Sequence, residues 1–454
     1  MKKYFGTDGI RRIANTHLTP ELVYKVAKAG AYVLAKNSNH VPTILIGRDT
    51  RISGTLIESA MTAGFLSYGA NVKLLGVIPT PAVAYLTKEL NADASVVISA
   101  SHNTFEFNGI KFFSNKGMKI PDEIEEEIEE IIESGNFDEL TAKNENIGVS
   151  ENTPEYIEKY KEFIVNIFKD SIAKNIKEDF TVGIDTANGA TYKIAEKIFK
   201  ELGINYKIIN NTPDGININE KCGSTHLEQI KEYVKNNNLS LGIAYDGDGD
   251  RCLAIDENGK TIDGDVILAT ISKYLKDNNK LKSNTLVATI MSNLGLKKYS
   301  ESNNINYVQT KVGDRYVLEE MLKNNYNIGG EQSGHIILLD YNPTGDGILT
   351  SLMLISILLE KNMNASEVFK QIDIYPQVLV NAKVDENKKY DYSEDEEVQN
   401  EIKKLEQEFS GEGRVLIRTS GTEPLVRVMI EGKELNKIEE KAKELAKLVE
   451  TKFN

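Results

Sequence analysis

Cysteine, long apolar runs and positive charge are all scarce in this chain of 454 residues. The two cysteines, Cys222 and Cys252, cannot form a disulfide framework, and neither lies in a CxxC spacing. The longest apolar stretch, LMLISILL at residues 352–359, is too short to span a bilayer. The opening residues, MKKYFGTDGIRR, lack the apolar region of a secretory signal. We therefore expect a cytoplasmic protein that does not engage a membrane.

The charge balance argues against nucleic acid as a partner. The net charge is −14, and no stripe of lysines and arginines is visible. Acidic residues concentrate in PDEIEEEIEEIIESG, at residues 121–135, where isoleucines recur at helical spacing. This pattern predicts an amphipathic helix whose acidic face is exposed to solvent.

The length and a recurring pattern predict several domains. One hydrophobic core does not keep growing to this size, so we expect about three or four domains. A strand, a polar turn, a helix and a second strand recur at residues 43–76, 180–210 and 285–310. These units are typical of layered α/β domains. The last segment, of about 80 residues, has the pattern of an α+β module, which is within the usual domain range.

The fold class predicted from these patterns is α/β, with three related mixed α/β domains and a C-terminal α+β domain. The predicted boundaries place α/β domains at 1–154, 155–252 and 253–372, and an α+β domain at 373–454.

The first polar stretch, SASHNTFEFNGIKFF at residues 99–113, follows a strand-like run. Its Ser101 is either a nucleophile at a strand end or an ordinary turn residue, and Ser and Asn are common in turns. Neighbouring side chains of an extended chain point to opposite sides, so we expect His102 to be badly placed as a base for Ser101. Taken alone, this stretch favours the turn.

The second stretch, LGIAYDGDGDRCLAIDE at residues 241–257, alternates aspartates with glycines. In an extended loop the carboxylates of Asp246, Asp248 and Asp250 would share one side, where a hard cation would neutralise them. An EF-hand loop would need glycine where Arg251 stands, and helices where the flanks are strand-like. We therefore expect a Mg²⁺ site, with an acidic hairpin turn as the alternative.

Two further stretches carry polar side chains around glycines. In GGEQSGHIILL, Glu331 and Ser333 suit sugar hydroxyls, and His335 is either a general base or an ordinary loop histidine. In RTSGTEPLVRV, at residues 418–428, arginines and hydroxyls flank a glycine turn between two strands. Such donors suit a dianionic phosphate, although a surface hairpin with solvated arginines is the alternative.

The four stretches together describe one chemistry. A divalent cation, a serine at a strand end, a hydroxyl-binding loop and a phosphate-binding turn fit phosphoryl transfer through a covalent intermediate. The sequence also resembles a known family at the same four places and in the same order. The motifs SASHN…NGIK, DGDGDR, GGEQSGH and RTSGTEPLVRV resemble those of the α-D-phosphohexomutases, and the resemblance covers essentially the whole chain.

Further motifs resemble one branch of this family, which acts on glucosamine phosphates. They are FGTDGIR, GVIPTPAVAYLT, KVGDRYV and GGEQSGH, and relatives acting on glucose or mannose phosphates usually differ at the position of Gln332. The resemblance implies four domains around a central cleft. It also implies that a phosphorylated Ser101 interconverts glucosamine 6-phosphate and glucosamine 1-phosphate through glucosamine 1,6-bisphosphate, and so supplies UDP-N-acetylglucosamine for cell-wall synthesis.

The resemblance also implies roles for single residues. Ser101, Lys111, His335 and Arg11 match catalytic positions, and Asp246, Asp248 and Asp250 match the ligands of one Mg²⁺ together with a phosphoserine oxygen. Arg251, Lys311, Glu331 and Ser333 match substrate-binding positions, and Arg418, Ser420, Gly421, Thr422 and Arg427 match the phosphate loop. The bisphosphate is expected as intermediate and activator, a sugar phosphate as the only partner, and a monomer or homodimer as the assembly.

Two departures from the family pattern and three rival functions stay open at this point. A proline commonly follows Ser-His-Asn, and its replacement by Thr104 should loosen the loop modestly. Arg12 stands where the branch usually has glycine, and would either alter phosphate affinity or face solvent. The rivals are a phosphomannomutase or phosphoglucomutase, a metal-dependent sugar phosphatase, and a non-catalytic cation-binding protein.

Overall fold

The computed structural model describes residues 3–6, 8–36, 38–370, 372–419 and 424–454. Its first sheet has six strands in the order β1-β5-β4-β2-β3-β6. The strands are β1 Ile10–Ile13, β2 Thr43–Arg48, β3 Asn71–Val77, β4 Ala94–Ile98, β5 Phe107–Ser114 and β6 Ser150–Asn152. The helices of this region are α1 Pro20–Ala35, α2 Gly54–Tyr68, α3 Thr80–Glu89 and α4 Asp122–Ser134.

The centre of the first sheet is parallel and its β1 side is antiparallel. Strand β2 pairs in parallel with β3 and β4, whereas β5 pairs antiparallel with β4 and β1. All five residues of β4, ASVVI, are buried, as expected for a strand covered on both faces. The buried strand β4 leads directly into the stretch that contains Ser101.

The second sheet has five strands in the order β11-β10-β9-β7-β8. They are β7 Thr181–Asp185, β8 Asn205–Ile209, β9 Leu241–Tyr245, β10 Cys252–Asp256 and β11 Thr261–Ile262, with helices α5 Ile157–Asn175, α6 Ile194–Glu201 and α7 Glu228–Asn236. Strands β9 and β10 pair antiparallel, with Tyr245 opposite Cys252. The turn that joins them carries the three aspartates, so this hairpin presents the predicted metal loop.

The third sheet has four strands in the order β13-β12-β14-β15. They are β12 Thr285–Thr289, β13 Asn306–Thr310, β14 Ile328–Gly330 and β15 Ile336–Leu338, with helices α8 Gly264–Asp277, α9 Leu294–Ser302, α10 Asp314–Asn324, α11 Gly347–Lys361 and α12 Ala365–Phe369. The long apolar run of the sequence forms α11, which is buried along most of its length. None of the helices within the described residues is long and apolar enough to cross a bilayer.

The chain divides into two compact units. One consists of Met1–Met291 and Ile305–Gln371, and the other of Ser292–Asn304 and Ile372–Asn454. The second unit has an antiparallel sheet in the order β16-β18-β17. Its strands are β16 Gln377–Lys383, β17 Gly413–Thr419 and β18 Leu425–Gly432, and α13 Glu396–Phe409 and α14 Leu435–Phe453 pack on them.

Three mixed sheets with helices and a fourth, antiparallel sheet confirm the predicted fold class. The domain boundaries stay a prediction. The predicted acidic helix forms as α4, but the expectation that its whole acidic face meets solvent is wrong. Glu129 is buried and accepts hydrogen bonds from the backbone N–H groups of Lys3, Tyr4 and Phe5, each at 2.7 Å. Glu125 is also buried, and Arg315 Nη2 donates to it at 2.8 Å.

Candidate active site

Ser101 lies three residues beyond the end of β4, in a turn that is almost fully buried. Its backbone is left-handed, with φ of 51°, which is uncommon for a residue other than glycine. Its Oγ donates a 2.6 Å hydrogen bond to Asp246 Oδ2. The structure therefore joins the serine directly to the aspartate loop.

His102 is closer to Ser101 than an extended chain allows. Its Nδ1 lies 3.4 Å from Ser101 Oγ, because the left-handed turn brings the two side chains together. The expectation that the side chains of Ser101 and His102 point to opposite sides is therefore wrong. Burial, followed by the positive charges of Arg251 and Arg11, lowers the pKa of His102 to about 4. The imidazole is consequently neutral near pH 7 and a weak base.

Arg51 holds the serine loop through its backbone carbonyls, a contact that was not predicted. Its Nη2 donates to the carbonyls of Ser101 at 3.0 Å and Asn103 at 2.8 Å. Its Nη1 donates to the carbonyls of Thr104 and Phe107. The loop that lacks the family's proline is therefore tied at four carbonyls by one buried guanidinium.

Asp246, Asp248 and Asp250 converge at one point. Each offers a carboxylate oxygen, and these oxygens lie within 4.8 Å of one another. The segment is a turn rather than the extended loop assumed from the sequence, with Gly249 at φ of 72°. The flanking elements are strands β9 and β10, which confirms the rejection of an EF-hand.

The pKa values of two of these carboxyl groups are shifted in opposite directions. Burial and the negative charges of Asp250 and Asp248 hold the pKa of Asp246 well above its usual range. Burial also acts to raise the pKa of Asp248, but the charge and hydrogen bond of Lys111 and a hydrogen bond from Thr80 lower it. Of these two groups, Asp246 is the one whose negative charge the protein compensates less.

The aspartate loop fits a divalent cation. Asp248 Oδ1 and Asp250 Oδ1 are buried and have no hydrogen-bond partner among the residues that the structure describes. An ionised carboxylate oxygen is an acceptor only, and leaving it buried without a partner is costly. A hard cation with oxygen ligands removes that cost.

Lys111 extends from β5 to the aspartate loop. Its Nζ lies 2.9 Å from Asp248 Oδ2, 3.2 Å from Asp8 Oδ2 and 3.6 Å from Asp250 Oδ2. Burial alone would lower the pKa of this lysine, but the three carboxylates outweigh it and hold the pKa well above its usual range. The side chain of Lys111 is therefore a positively charged ammonium held beside the aspartate loop.

A row of ion pairs continues from Lys111 to His335. Asp8 contacts Lys111 and, at 2.5 Å, Lys119; Lys119 in turn contacts Asp314 Oδ2 at 2.5 Å. His335 Nε2 lies 3.3 Å from the same Asp314 oxygen. Asp8, Lys119 and Asp314 were not predicted as site residues, although Asp8 and Asp314 lie within the motifs FGTDGIR and KVGDRYV.

The two predicted site arginines lie near this row. Arg11 Nη2 contacts Asp8 Oδ2 at 2.7 Å, and its Nη1 donates to Asn103 Oδ1 at 3.0 Å. Burial acts to lower the pKa of Arg251, but the negative charges of Asp250 and Asp246 outweigh burial and raise this pKa above its usual value. Arg12, the residue that departs from the family pattern, donates to the backbone carbonyl of Lys3 instead.

These side chains line a cavity of about 390 Å³. Most predicted site residues of the first unit border it or the aspartate loop beside it. The predicted residues lining the cavity are Arg11, Asp250, Arg251, Glu331, Ser333 and His335. Lys311 is exposed, its Nζ lies 5.9 Å from the ring centre of Tyr316, and it lies outside the described lining.

The predicted sugar loop is less tightly held. Glu331 Oε1 accepts from the backbone N–H of Gly313 at 3.2 Å, and Ser333 Oγ lies 3.5 Å from Glu331 Oε2. Gln332 Nε2 donates to Asp263 Oδ2 at 3.3 Å. Glu331 and Ser333 therefore retain hydrogen-bonding capacity toward the cavity.

In the second unit, Arg418 on β17 lies directly opposite Arg427 on β18. Burial and the positive charge of Arg427 lower the pKa of Arg418. Guanidinium groups at opposed positions of a sheet suit a dianionic phosphate, which arginine binds with good geometry. Ser420, Gly421 and Thr422 lie outside the described residues.

Family models cover most of the chain. Domains I, II and III of phosphoglucomutase/phosphomannomutase match residues 2–139, 154–259 and 263–375, and the C-terminal domain matches residues 379–448. The chain therefore belongs to the phosphoglucomutase/phosphomannomutase family, the α-D-phosphohexomutases.

Within this family, the chain is similar over its full length to curated bacterial proteins. It is 52% identical to the phosphoglucosamine mutase of Ruminiclostridium cellulolyticum and 53% identical to that of Clostridium acetobutylicum, and each comparison covers 100% of both chains.

Solved structures share the fold. A phosphoglucomutase/phosphomannomutase family protein from Burkholderia thailandensis superposes with a TM-score of 0.81 at 21% identity, over 99% of this chain and 98% of that one. The N-acetylphosphoglucosamine mutase of Aspergillus fumigatus, solved with GlcNAc-6P and magnesium, gives 0.68 at 18% identity, over 100% and 96%. At these identities the likeness supports the fold alone.

Proposed function

We propose that this chain is a phosphoglucosamine mutase, which interconverts glucosamine 6-phosphate and glucosamine 1-phosphate. The full-length similarity to curated phosphoglucosamine mutases supports the substrate. The observation that carries the reaction type is the 2.6 Å hydrogen bond from Ser101 Oγ to Asp246, in a loop of three buried aspartates. A serine beside a cation site and a fixed ammonium suits phosphoryl transfer better than acyl transfer.

In the proposed reaction, Ser101 carries the phosphoryl group. The bond between Oγ and phosphorus breaks, a new bond forms to the free sugar hydroxyl, and the hydroxyl proton leaves. The resulting glucosamine 1,6-bisphosphate turns in the cavity, and its other phosphoryl group returns to Ser101. The bisphosphate is thus the intermediate, and free bisphosphate would act as the activator that phosphorylates an empty serine.

Asp246, Asp248 and Asp250 would hold one Mg²⁺ together with an oxygen of the phosphorylated Ser101. A bound Mg²⁺ would supply positive charge against the negative charge of the phosphoryl group. The two buried oxygens without a described hydrogen-bond partner, on Asp248 and Asp250, support this assignment.

Charged side chains of the first unit would serve the transfer itself. Lys111 is held protonated, so we assign it to stabilise the phosphoryl oxygens and to return a proton to the leaving oxygen. His335 is assigned as the base that accepts the hydroxyl proton. Arg11 and Arg251 would pair with phosphate oxygens, since arginine suits phosphate geometry.

Binding of the sugar would use the remaining predicted residues. Glu331 and Ser333 would hold sugar hydroxyls, and Lys311 would lie near the substrate's other end. The opposed pair Arg418 and Arg427 supports a phosphate site in the fourth domain, with Ser420, Gly421 and Thr422 as its predicted loop. The cytoplasmic location, the role in cell-wall precursor supply and a monomeric or homodimeric assembly stay predictions from the sequence.

A substrate comparison tests this proposal. The purified protein with Mg²⁺ and a trace of the cognate 1,6-bisphosphate is assayed on glucosamine 6-phosphate, glucose 6-phosphate and mannose 6-phosphate. We expect the highest kcat/KM on the glucosamine phosphate, and no inorganic phosphate beyond the Ser101→Ala background. Faster turnover of glucose or mannose phosphate would contradict the substrate, and stoichiometric phosphate release would indicate a phosphatase.

A further inference from the structure

Two side chains behind the cavity bind the backbone carbonyl of Ser101. Arg51 Nη2 donates to it at 3.0 Å and Asn219 Nδ2 at 2.8 Å. Asn219 Nδ2 also donates to the carbonyl of Asn103 at 2.9 Å. Both side chains are buried, and neither belongs to the described lining of the cavity. They cannot contact a substrate there, yet they fix the residue proposed to react.

Asn219 is itself placed by an unusual piece of backbone. Its N–H donates to the carbonyl of Ala187 at 2.9 Å. Ala187, Asn188 and Asn219 all have left-handed backbones, with φ of 54°, 48° and 57°. Alanine in this conformation is strained and persists only where the surroundings enforce it. The second predicted domain therefore uses strained backbone to bring an amide to the serine loop of the first.

Gly247 leaves the room that this contact needs. A Cβ at Gly247 would lie 2.5 Å from the carbonyl oxygen of Ser101 and 2.7 Å from Asn219 Nδ2. The aspartate loop, the serine loop and Asn219 therefore meet at one point, and only glycine in the aspartate loop allows their approach.

The held carbonyl explains the left-handed conformation of Ser101. A serine released from these bonds would relax toward the commoner right-handed or extended regions. Such a rotation would turn Oγ away from Asp246, from which it now lies 2.6 Å. The contacts that fix the carbonyl of Ser101 therefore also fix the direction in which its Oγ points.

We propose that Asn219, acting with Arg51, is a positioning residue of phosphoryl transfer, because it locks the carbonyl of Ser101 and so aims Oγ at the aspartate loop. This inference rests on the proposed function. It assigns a role in the reaction to a residue that touches neither substrate nor cation, and it makes the second domain part of the nucleophile's support.

A pair of glycine variants separates this role from simple stability. Asn219→Gly removes the amide and keeps a residue that tolerates a positive φ. Asn327→Gly is the control: this asparagine is also buried, and its side chain donates to the carbonyl of Lys280 at 2.9 Å and to Asp340 Oδ2 at 2.7 Å, with no described hydrogen bond to the serine loop or the aspartate loop.

The decisive readout is the single-turnover rate at which the phosphorylated enzyme transfers its phosphoryl group to glucosamine 6-phosphate. We expect Asn219→Gly to slow this step about 10-fold to 100-fold, with KM nearly unchanged, because a displaced nucleophile loses orientation and not binding. Asn327→Gly should stay near the wild-type rate although it also loses a buried amide and thermal stability. Gly247→Ala should reproduce the loss with Asn219 intact.

The isosteric Asn219→Asp, which lacks the N–H donors when ionised, serves if the glycine variant does not fold. The inference is overturned if a folded Asn219 variant transfers the phosphoryl group as fast as Asn327→Gly. A wild type that transfers no phosphoryl group to the sugar would instead overturn the proposed function, so the two failures are distinguishable.

Discussion

Two regions of the site hold their side chains very differently, namely the nucleophile end around Ser101 and the aspartate loop, and the sugar end at the predicted sugar loop. At the nucleophile end, Ser101, Asp246 and Lys111 are almost fully buried, and their contacts measure 2.6 Å from Ser101 to Asp246 and 2.9 Å from Lys111 to Asp248. At the sugar end, Glu331 and Ser333 are half-buried, and their contact measures 3.5 Å. The groups proposed to react are arranged in advance, whereas the groups proposed to recognise the sugar retain hydrogen-bonding capacity.

Removal of the divalent cation should have the largest effect, because it acts at the nucleophile end. With a chelator present, we expect kcat to fall about 10³-fold, since a cation supplies several kcal/mol of charge stabilisation. Added Mg²⁺ should restore it, as measured in a coupled assay for glucosamine 1-phosphate. Full activity in the chelator would show that the aspartate loop is not a catalytic cation site.

Replacement of Lys111 by methionine should be the next most damaging change. The loss of a buried ammonium that contacts Asp248 should lower kcat about 10²-fold to 10³-fold with a smaller effect on KM. His102→Gln is the comparison, because a histidine with a pKa of about 4 contributes little base catalysis. Equal losses in the two variants would contradict the assignment of Lys111.

A change at the sugar end should act on binding instead. Glu331→Gln keeps the size of the side chain and weakens a charge-assisted hydrogen bond to a neutral one, which costs about 1–1.5 kcal/mol. We expect KM for the sugar phosphate to rise about tenfold with kcat nearly retained. A fall in kcat with KM unchanged would place Glu331 with the reacting groups and remove the contrast between the two ends.

The smallest effect concerns stability in acid. Burial acts to raise the pKa of Asp314, but Lys119 and His335 lower it below its usual value. A carboxyl whose folded pKa is lowered stabilises the fold above its unfolded pKa, and this contribution is lost as the pH falls through the folded pKa. Between about pH 5 and pH 3, the free energy of unfolding should therefore fall less in Asp314→Asn than in the wild type.

Urea unfolding at several pH values measures that difference. If the free energy of unfolding falls more steeply with decreasing pH in Asp314→Asn than in the wild type, the row of ion pairs from Lys111 to His335 does not contribute as described.

The sequence predicted best the residues whose neighbours along the chain define their setting. The three aspartates share one hairpin turn, so their local pattern was enough to predict a cation site. Ser101 taken alone favoured an ordinary turn, and only the other motifs and the family resemblance marked it as a nucleophile. Arg51 and Asn219 escaped because their importance comes from contacts across 50 and 118 positions, which no local pattern encodes. The prediction of a solvent-exposed acidic face on α4 was wrong for a related reason, because the spacing of its residues could not show that Glu129 is buried against the N-terminal backbone.

The position of His102 shows a second limit. The rule that adjacent side chains point apart holds for an extended chain, and Ser101 is not extended. A left-handed serine is an uncommon conformation that only the surrounding carbonyl contacts explain. The deviation from the sequence-based expectation thus falls at the proposed nucleophile, where local rules are commonly broken for function.

The central claim is that Ser101 carries the phosphoryl group. Intact-mass measurement of the wild type and of Ser101→Ala, before and after incubation with glucosamine 1,6-bisphosphate and Mg²⁺, tests it directly. The account predicts that the wild type gains the mass of one phosphoryl group, that Ser101→Ala gains none, and that only the wild type interconverts the glucosamine phosphates. A wild type that never carries phosphate, with both proteins equally active, would contradict it.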